Sequence, residues 1–278
     1  MVRNDSSRAG ILTLTTRALL EPAVSLLQIL VRHLRRTAIV AVMSFLPGVL
    51  DAHSADGDPA LAVLVFSKTA DYRHESIPAG IEAIRALGEQ HGFAVDASED
   101  AALFNDERLA KYRVVVFLNT TGHILDSDQQ AAFERFIRRG NGFVGIHSAS
   151  DTEYDWPWYG QLVGAYFKRH PKIQPATLRV VDPTHESTRT LPALWTRTDE
   201  WYDFRDDSSR RVSVLLQLDE TTYSGGGMGA SHPAAWCHSY DGGKAWYSAL
   251  GHTKESYADP LFLAHLLGGV QWAAGVTP

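Results

Sequence analysis

Hydrophobic positions fall into short apolar runs separated by stretches with helical spacing. Leu61–Phe66 (LAVLVF) is continuous enough to predict a strand buried on both faces. Pro78–Gln90 follows with apolar residues at Ile81, Ile84 and Leu87 behind an N-terminal proline, which predicts a helix. Phe93–Asp96 reads as a short second strand and Val114–Leu118 (VVVFL) as a third. Ser127–Arg139 reads as a helix, with Ser127 and Gln130 at capping-box spacing and Gly140 as its stop. Phe143–Ile146 supplies a fourth strand. This alternation predicts an α/β fold with a doubly wound, mostly parallel sheet.

The later half changes character. Thr177–Val181, Val212–Leu218, Ala234–Tyr240 and Lys244–Leu250 read as strands, and Asp241-Gly242-Gly243 between the last two is a hairpin signal. An antiparallel extension of the sheet is therefore expected in the C-terminal half. Pro260–Ala274 reads as a closing helix packing through Leu263, Leu266, Leu267 and Val270. Ser224–Gly229 (SGGGMG) lacks a phosphate-loop lysine and serine, so it reads as a flexible lid or turn, and no nucleotide cofactor is expected.

Residues 32–55 (RHLRRTAIVAVMSFLPGVLDAHSA) set a basic cluster before an apolar run broken by Pro47 and Gly48, with small residues at Ala52 and Ser54. That layout predicts a signal peptide over about 31–55, a leader and short linker over 1–58, and one domain over 59–278. The run is shorter than the roughly 20 residues of a membrane span; the alternative is an uncleaved anchor. Export, periplasmic or extracellular, is the expectation, with no membrane association after cleavage. Cys237 is the sole cysteine, so no intramolecular disulfide can form. Beyond residue 54 the chain holds 20 basic and 29 acidic residues, a net charge of −9 that argues against nucleic acid as a partner. The basic run Lys168–Lys172 (KRHPK) reads as a solvated face.

Candidate chemistry lies just after predicted strands: Lys68–Ser76 (KTADYRHES), Asn119–His123 (NTTGH), His147–Asp155 and Gly251–Ser256 (GHTKES). In a parallel sheet these ends share one edge, where ligands bind. His74, His147 and His252 are therefore expected to be neighbours. With a carboxylate from Asp151 or Glu200 they could hold a divalent metal such as zinc, or act as acid and base without one. Asn119 and Tyr257 flank the same segments. Asp151, Glu153, Trp156 and Trp158, with Trp201 in Arg197–Arg205 (RTDEWYDFR), offer polar groups beside flat faces for a carbohydrate. The competing readings are hydrogen-bonded structural histidines, core aromatics, and an amphipathic edge strand for 197–205. His33, His53, His91, His170, His185 and His265 get only the structural reading, and of His232 and His238 in the hairpin region His232, before Pro233, is the more interesting. Ser148 lacks the surrounding G-x-S-x-G of a nucleophile elbow.

HESIP (His74–Pro78), FLNTTG (Phe117–Gly122), GFVGIHSASDTEYDWPWYGQLVGAYF (Gly142–Phe167), RTDEWYDF (Arg197–Phe204), HPAAW (His232–Trp236) and LGHTKESYADPLFLAHLLGG (Leu250–Gly269) together resemble the ThuA-like (trehalose utilisation) domain family over about residues 60–274. The resemblance implies a flavodoxin-like, class I glutamine amidotransferase-like fold and a link to disaccharide or keto-sugar metabolism. In amidotransferases of that superfamily a cysteine occupies the elbow and pairs with a late histidine. Here His147 falls at the elbow and His252 at the partner position, so glutaminase chemistry lacks its nucleophile. The implied function is an exported, sugar-active, metal-assisted or acid/base enzyme acting on a disaccharide or 3-keto-glycoside, as a hydrolase or lyase. A carbohydrate-binding module, or a partner domain of a sugar-degrading system, is the alternative. The oligomeric state is not legible.

Overall fold

A computed structural model describes residues 61–276; the leader and signal-peptide expectation lies outside them. The first strands are β1 (Ala62–Phe66), β2 (Ala94–Ser98), β3 (Val114–Leu118) and β4 (Gly142–Ile146); β1 and β3 are continuous apolar runs, β4 is apolar with two glycines, and the half-exposed β2 carries Asp96 and Ser98 at the sheet edge. Between them lie α1 (Ile77–His91), the short α2 (Asp106–Leu109) and α3 (Ser127–Arg138), and α4 (Pro157–Val163) comes after β4. β5 (Phe167–Arg169), β6 (Gln174–Val180), β7 (Leu194–Asp199), β8 (Asp203–Phe204), β9 (Ser213–Asp219), β10 (Pro233–Tyr240), β11 (Gly243–Ser248) and α5 (Pro260–Ala274) complete the order.

The main sheet runs β2-β1-β3-β4-β11-β10-β9-β6-β7. Its first five strands are mutually parallel and the remaining pairings antiparallel. The expected α/β architecture with an antiparallel extension is therefore present. β5 and β8 form a separate two-stranded ribbon that periodicity did not reveal.

Alternate side chains go to opposite faces. Val63, Val65, Val114, Val116, Val144 and Ile146 pack with Ile84 of α1 and Phe262, Leu266 and Val270 of α5. Leu64, Phe66, Val115, Phe117 and Phe143 pack with Phe133, Phe136 and Ile137 of α3 and with Tyr159 and Leu162 of α4. Strands covered on both sides must be apolar throughout, which explains the uninterrupted runs. The capping box of α3 is Asp126 with Gln129, one residue earlier than the sequence reading, because Asp126 is the extended residue whose side chain accepts from Asp128 and Gln129 N–H. α5 starts at Pro260 behind an Asp259 cap that accepts from Leu261 N–H.

The antiparallel half does not continue flat. β7 stands four strands from β11, roughly 19 Å at 4.8 Å per strand, yet Trp195 and Arg197 of β7 pack on His265 and Phe262 of α5. α5 also lies on β11 and β4. The sheet therefore coils around α5, as large twisted sheets do, and carries the end of β7 back over the edge where β1, β4 and β11 end. Among the described residues no helix is long and apolar enough to cross a membrane.

Candidate functional site

Each principal side chain enters from a strand end. His147 follows β4 directly and opens a 3-10 turn over His147–Asp151. Its backbone lies in the left-handed region, φ 50°, which for a non-glycine residue costs of order 1–3 kcal/mol. Hydrogen bonds hold it there: Tyr247 Oη donates to the His147 carbonyl at 2.7 Å, and Nδ1 lies 2.8 Å from the Ala249 carbonyl. A carbonyl only accepts, so Nδ1 carries a proton, and Nε2 is the atom turned toward Glu200 and His252: it donates to the carboxylate when the ring is charged and offers a lone pair when the ring is neutral.

That Nε2 meets two other donor atoms. His252 Nδ1 lies 3.2 Å away and Glu200 Oε2 3.4 Å, while Nδ1 and Oε2 are themselves 3.2 Å apart. His74 completes the group, its ring centroid 4.9 Å from that of His147 and 5.0 Å from that of His252. One ligand atom from each of His74, His147, Glu200 and His252 lies within 4.8 Å of every other. The donor set fits zinc: bonds of about 2.0–2.1 Å in a tetrahedron give edges of about 3.3–3.4 Å, close to the three spacings observed. The described chain thus offers a four-ligand centre of imidazoles and one carboxylate.

A buried carboxylate aligns this centre from behind. Asp199, fully buried at the end of β7, accepts from the N–H groups of Gly251, His252 and Glu200 and from Ser256 Oγ, and pairs with Arg197 at 3.3 Å. One side chain therefore fixes the backbone of two ligands that are far apart in sequence. Gly251, at φ 108°, makes the turn that sends His252 inward; a Cβ there would meet Tyr257 Oη at 2.8 Å.

The environment sorts the protonation states. Burial, then the nearby His147 and His252, depresses His74 to about 2, so its ring is neutral at working pH and could serve as a ligand. Burial disfavours the charged Glu200, but hydrogen bonds and attraction from His147 and His252 outweigh it and hold the carboxyl well below its usual range. His252 is pulled the other way, up, because Glu200 overcomes the effect of its burial.

The group opens into a cavity of about 280 Å³ lined by Tyr72, His74, Asp151, Phe167, His170, Glu200, Tyr202 and His252. Asp151 stands outside the four-ligand set. Burial raises its pKa despite a 2.5 Å hydrogen bond donated by Tyr154 Oη. His170 reaches Glu200 Oε1 at 3.0 Å, so the histidine of the KRHPK run lines the cavity while staying as exposed as the run around it.

Other candidate residues do not reach this cavity. Trp156 and Trp158 stack on each other, 5.2 Å between centroids, against the α3 side of the sheet, with their indole N–H groups on Glu134 and Asp241. Trp201 is buried in the opposite core and donates to the Gln174 carbonyl. Glu153 is buried and accepts from the N–H groups of Ile124 and Leu125 and from Gln130, which ties the loop before α3. Asn119 and Tyr257 sit behind the histidines, both donating to the Gly251 carbonyl. The 224–229 segment is a tethered turn rather than a lid. Gln174 brackets Ser224, Glu220 accepts from Met228 N–H, and Met228 packs into the core. Of the 197–205 segment it is Tyr202, beside Glu200, that lines the cavity; Tyr72, Phe167 and His170 were not anticipated, and of these only the aromatic beside a candidate histidine, Tyr72-Arg73-His74, carried a signal.

Fold and site together define a flavodoxin-like α/β domain in which a histidine–carboxylate centre occupies the strand-end edge. The chain belongs to the ThuA family, described as trehalose utilisation, which matches residues 62–273. A putative ThuA-like protein from Bacteroides uniformis is similar in structure, with TM-score 0.66 and 23% identity over 77% of this chain and 91% of that one. One from Parabacteroides merdae has TM-score 0.66 and 19% identity over 78% and 91%. A β-galactosidase from Bacillus circulans sp. alkalophilus shares the fold over 79% of this chain but 32% of its own, with TM-score 0.50 and 15% identity. Comparison with curated proteins gives no match.

Proposed function

We propose that this protein is an exported, metal-assisted enzyme that cleaves a 3-keto-glycoside or related disaccharide. The observation that carries the reading is the set of three donor spacings, 3.2, 3.2 and 3.4 Å, among His147, His252 and Glu200, in a cavity that also presents a separate carboxyl, Asp151. Membership of a trehalose-utilisation family supports a sugar substrate, and the leader pattern in residues 32–55 supports export.

His74, His147, His252 and Glu200 would hold the metal, with the Ala249 carbonyl fixing the His147 tautomer and His170 engaging the second oxygen of Glu200. A bound divalent ion supplies Lewis acidity toward a carbonyl oxygen. Asp151 is the base. A ketone at C3 acidifies the C2 hydrogen; Asp151 takes that proton, and the C2–H electron pair moves into the C2–C3 bond as the enolate forms. The pair then moves to C1–C2 as the C1–O bond breaks, and the departing oxygen takes the proton from Asp151. Water adding across the new double bond would complete hydrolysis. A raised pKa suits a carboxyl that must both accept and return a proton. His147 at the elbow supports a route without a thiol, as does Cys237, which is buried within β10 with its thiol pushed up to about 12 by burial.

The test is turnover of 3-keto-trehalose against trehalose by wild type, His147→Ala, His252→Ala and the double variant. Each single change is expected to abolish cleavage, with the double scarcely worse, since residues acting as a unit are non-additive. Full cleavage by both single variants would remove the catalytic reading in favour of a sugar-binding module.

A further inference from the structure

The cavity is small for a disaccharide. At about 280 Å³ it lies just below the roughly 300–1,000 Å³ of small-molecule pockets, so part of a disaccharide must extend to the mouth. Tyr72 stands there. It is 61% exposed and is the only aromatic among the strongly exposed large hydrophobics of the described residues. Its ring packs edge-on against His74, centroids 4.8 Å apart, one ring from the ligand centre.

The exposure belongs to an anchored segment. Thr121 Oγ1 donates to the Tyr72 carbonyl at 2.9 Å, Ala70 N–H donates to the Thr121 carbonyl at 2.8 Å, and Arg73 pairs with Glu99. Leaving a large aromatic in water gives up the stabilisation its burial would bring, and the tethers hold it there. Phe167, half-buried on Tyr202 at 4.3 Å, and His170, stacked on the same ring at 6.0 Å, also line the cavity. A pyranose has apolar C–H faces that match such rings, while its hydroxyls remain in water.

We propose that Tyr72 forms a stacking subsite for the second sugar ring of a disaccharide whose first ring occupies the histidine–carboxylate cavity. This rests on the sugar reading above and extends it: the enzyme recognises the leaving sugar as well as the ring that reacts.

The test is calorimetric binding of trehalose, glucose and their 3-keto forms to the full chain, wild type, Tyr72→Ala and Tyr72→Trp. Base–aromatic stacking serves as the guide to size: Tyr72→Ala should weaken the disaccharide about tenfold more than it weakens the monosaccharide, and Tyr72→Trp should restore that difference. Equal losses for both sugars, or no loss for either, would overturn the subsite while sparing the sugar reading. Wild-type protein with no affinity for any of the four sugars would overturn both, and would show this before any variant is compared.

Discussion

His74→Asn should make the metal-free protein more resistant to acid. His74 is 4% exposed, and its pKa is lowered from 6.5 to about 2 by burial and by its imidazole neighbours. Below pH 6.5 the unfolded chain binds a proton at this residue that the folded chain refuses, so stability is present above pH 6.5 and is lost as pH falls toward 2. The slope is about 1.36 kcal/mol per pH unit, which gives about 2 kcal/mol between pH 6.5 and pH 5. His265, fully buried between the Ser187 carbonyl and Ser248 and lowered to about 3, adds a second loss of the same size. Wild type should therefore lose about 4 kcal/mol from these two groups and His74→Asn about 2, against a typical domain stability of about 5–15 kcal/mol. His252 works oppositely: Glu200 raises it, so its contribution is full at acid pH and is lost as pH rises through its folded value. It is common to both proteins. Urea unfolding at pH 6.5 and pH 5.0 in the presence of chelator measures the difference. Equal pH losses in the two proteins would refute the burial argument.

Cys237→Ser should leave sugar processing intact, and neither protein should release ammonia from glutamine, because the thiol is buried in β10 and its pKa is raised; ammonia release that depends on Cys237 would refute this. Trp158→Ala should lower the melting temperature while leaving sugar affinity unchanged, since its ring packs on Trp156 and Phe133 away from the cavity. A loss of affinity without a loss of stability would put the sugar on the α3 side of the sheet instead.

The parallel half of the fold was legible because strands covered on both faces must be apolar at every position, as in Val114–Leu118. The same logic placed His74, His147 and His252, since each follows a strand that ends on one edge. Glu200 was legible as one of two candidate carboxylates, but the choice between it and Asp151 was not, because only the coiling of the sheet around α5 brings the end of β7 to β4 and β11. His170 stayed hidden within a basic run that reads as a solvated surface; the β5–β8 ribbon that carries it to Glu200 is too short to show a period. The aromatics failed for a different reason. Spacing puts Trp156 and Trp158 beside Asp151 in sequence, but α4 turns them onto Phe133 of α3. Glu153 likewise serves three donors of the loop and helix opposite. A carboxylate near a strand end is a ligand or a structural acceptor according to what it faces, and local sequence does not carry that direction.

The central claim is that His74, His147, Glu200 and His252 hold a metal, and elemental analysis of untagged protein, purified without chelator, tests it most directly. Wild type should carry about one divalent ion per chain, as expected for a single four-ligand site, and His147→Ala and Glu200→Gln should each lose it while remaining folded by circular dichroism. Metal-free wild-type protein that still cleaves its substrate, or variants that retain the full metal content, would contradict the account.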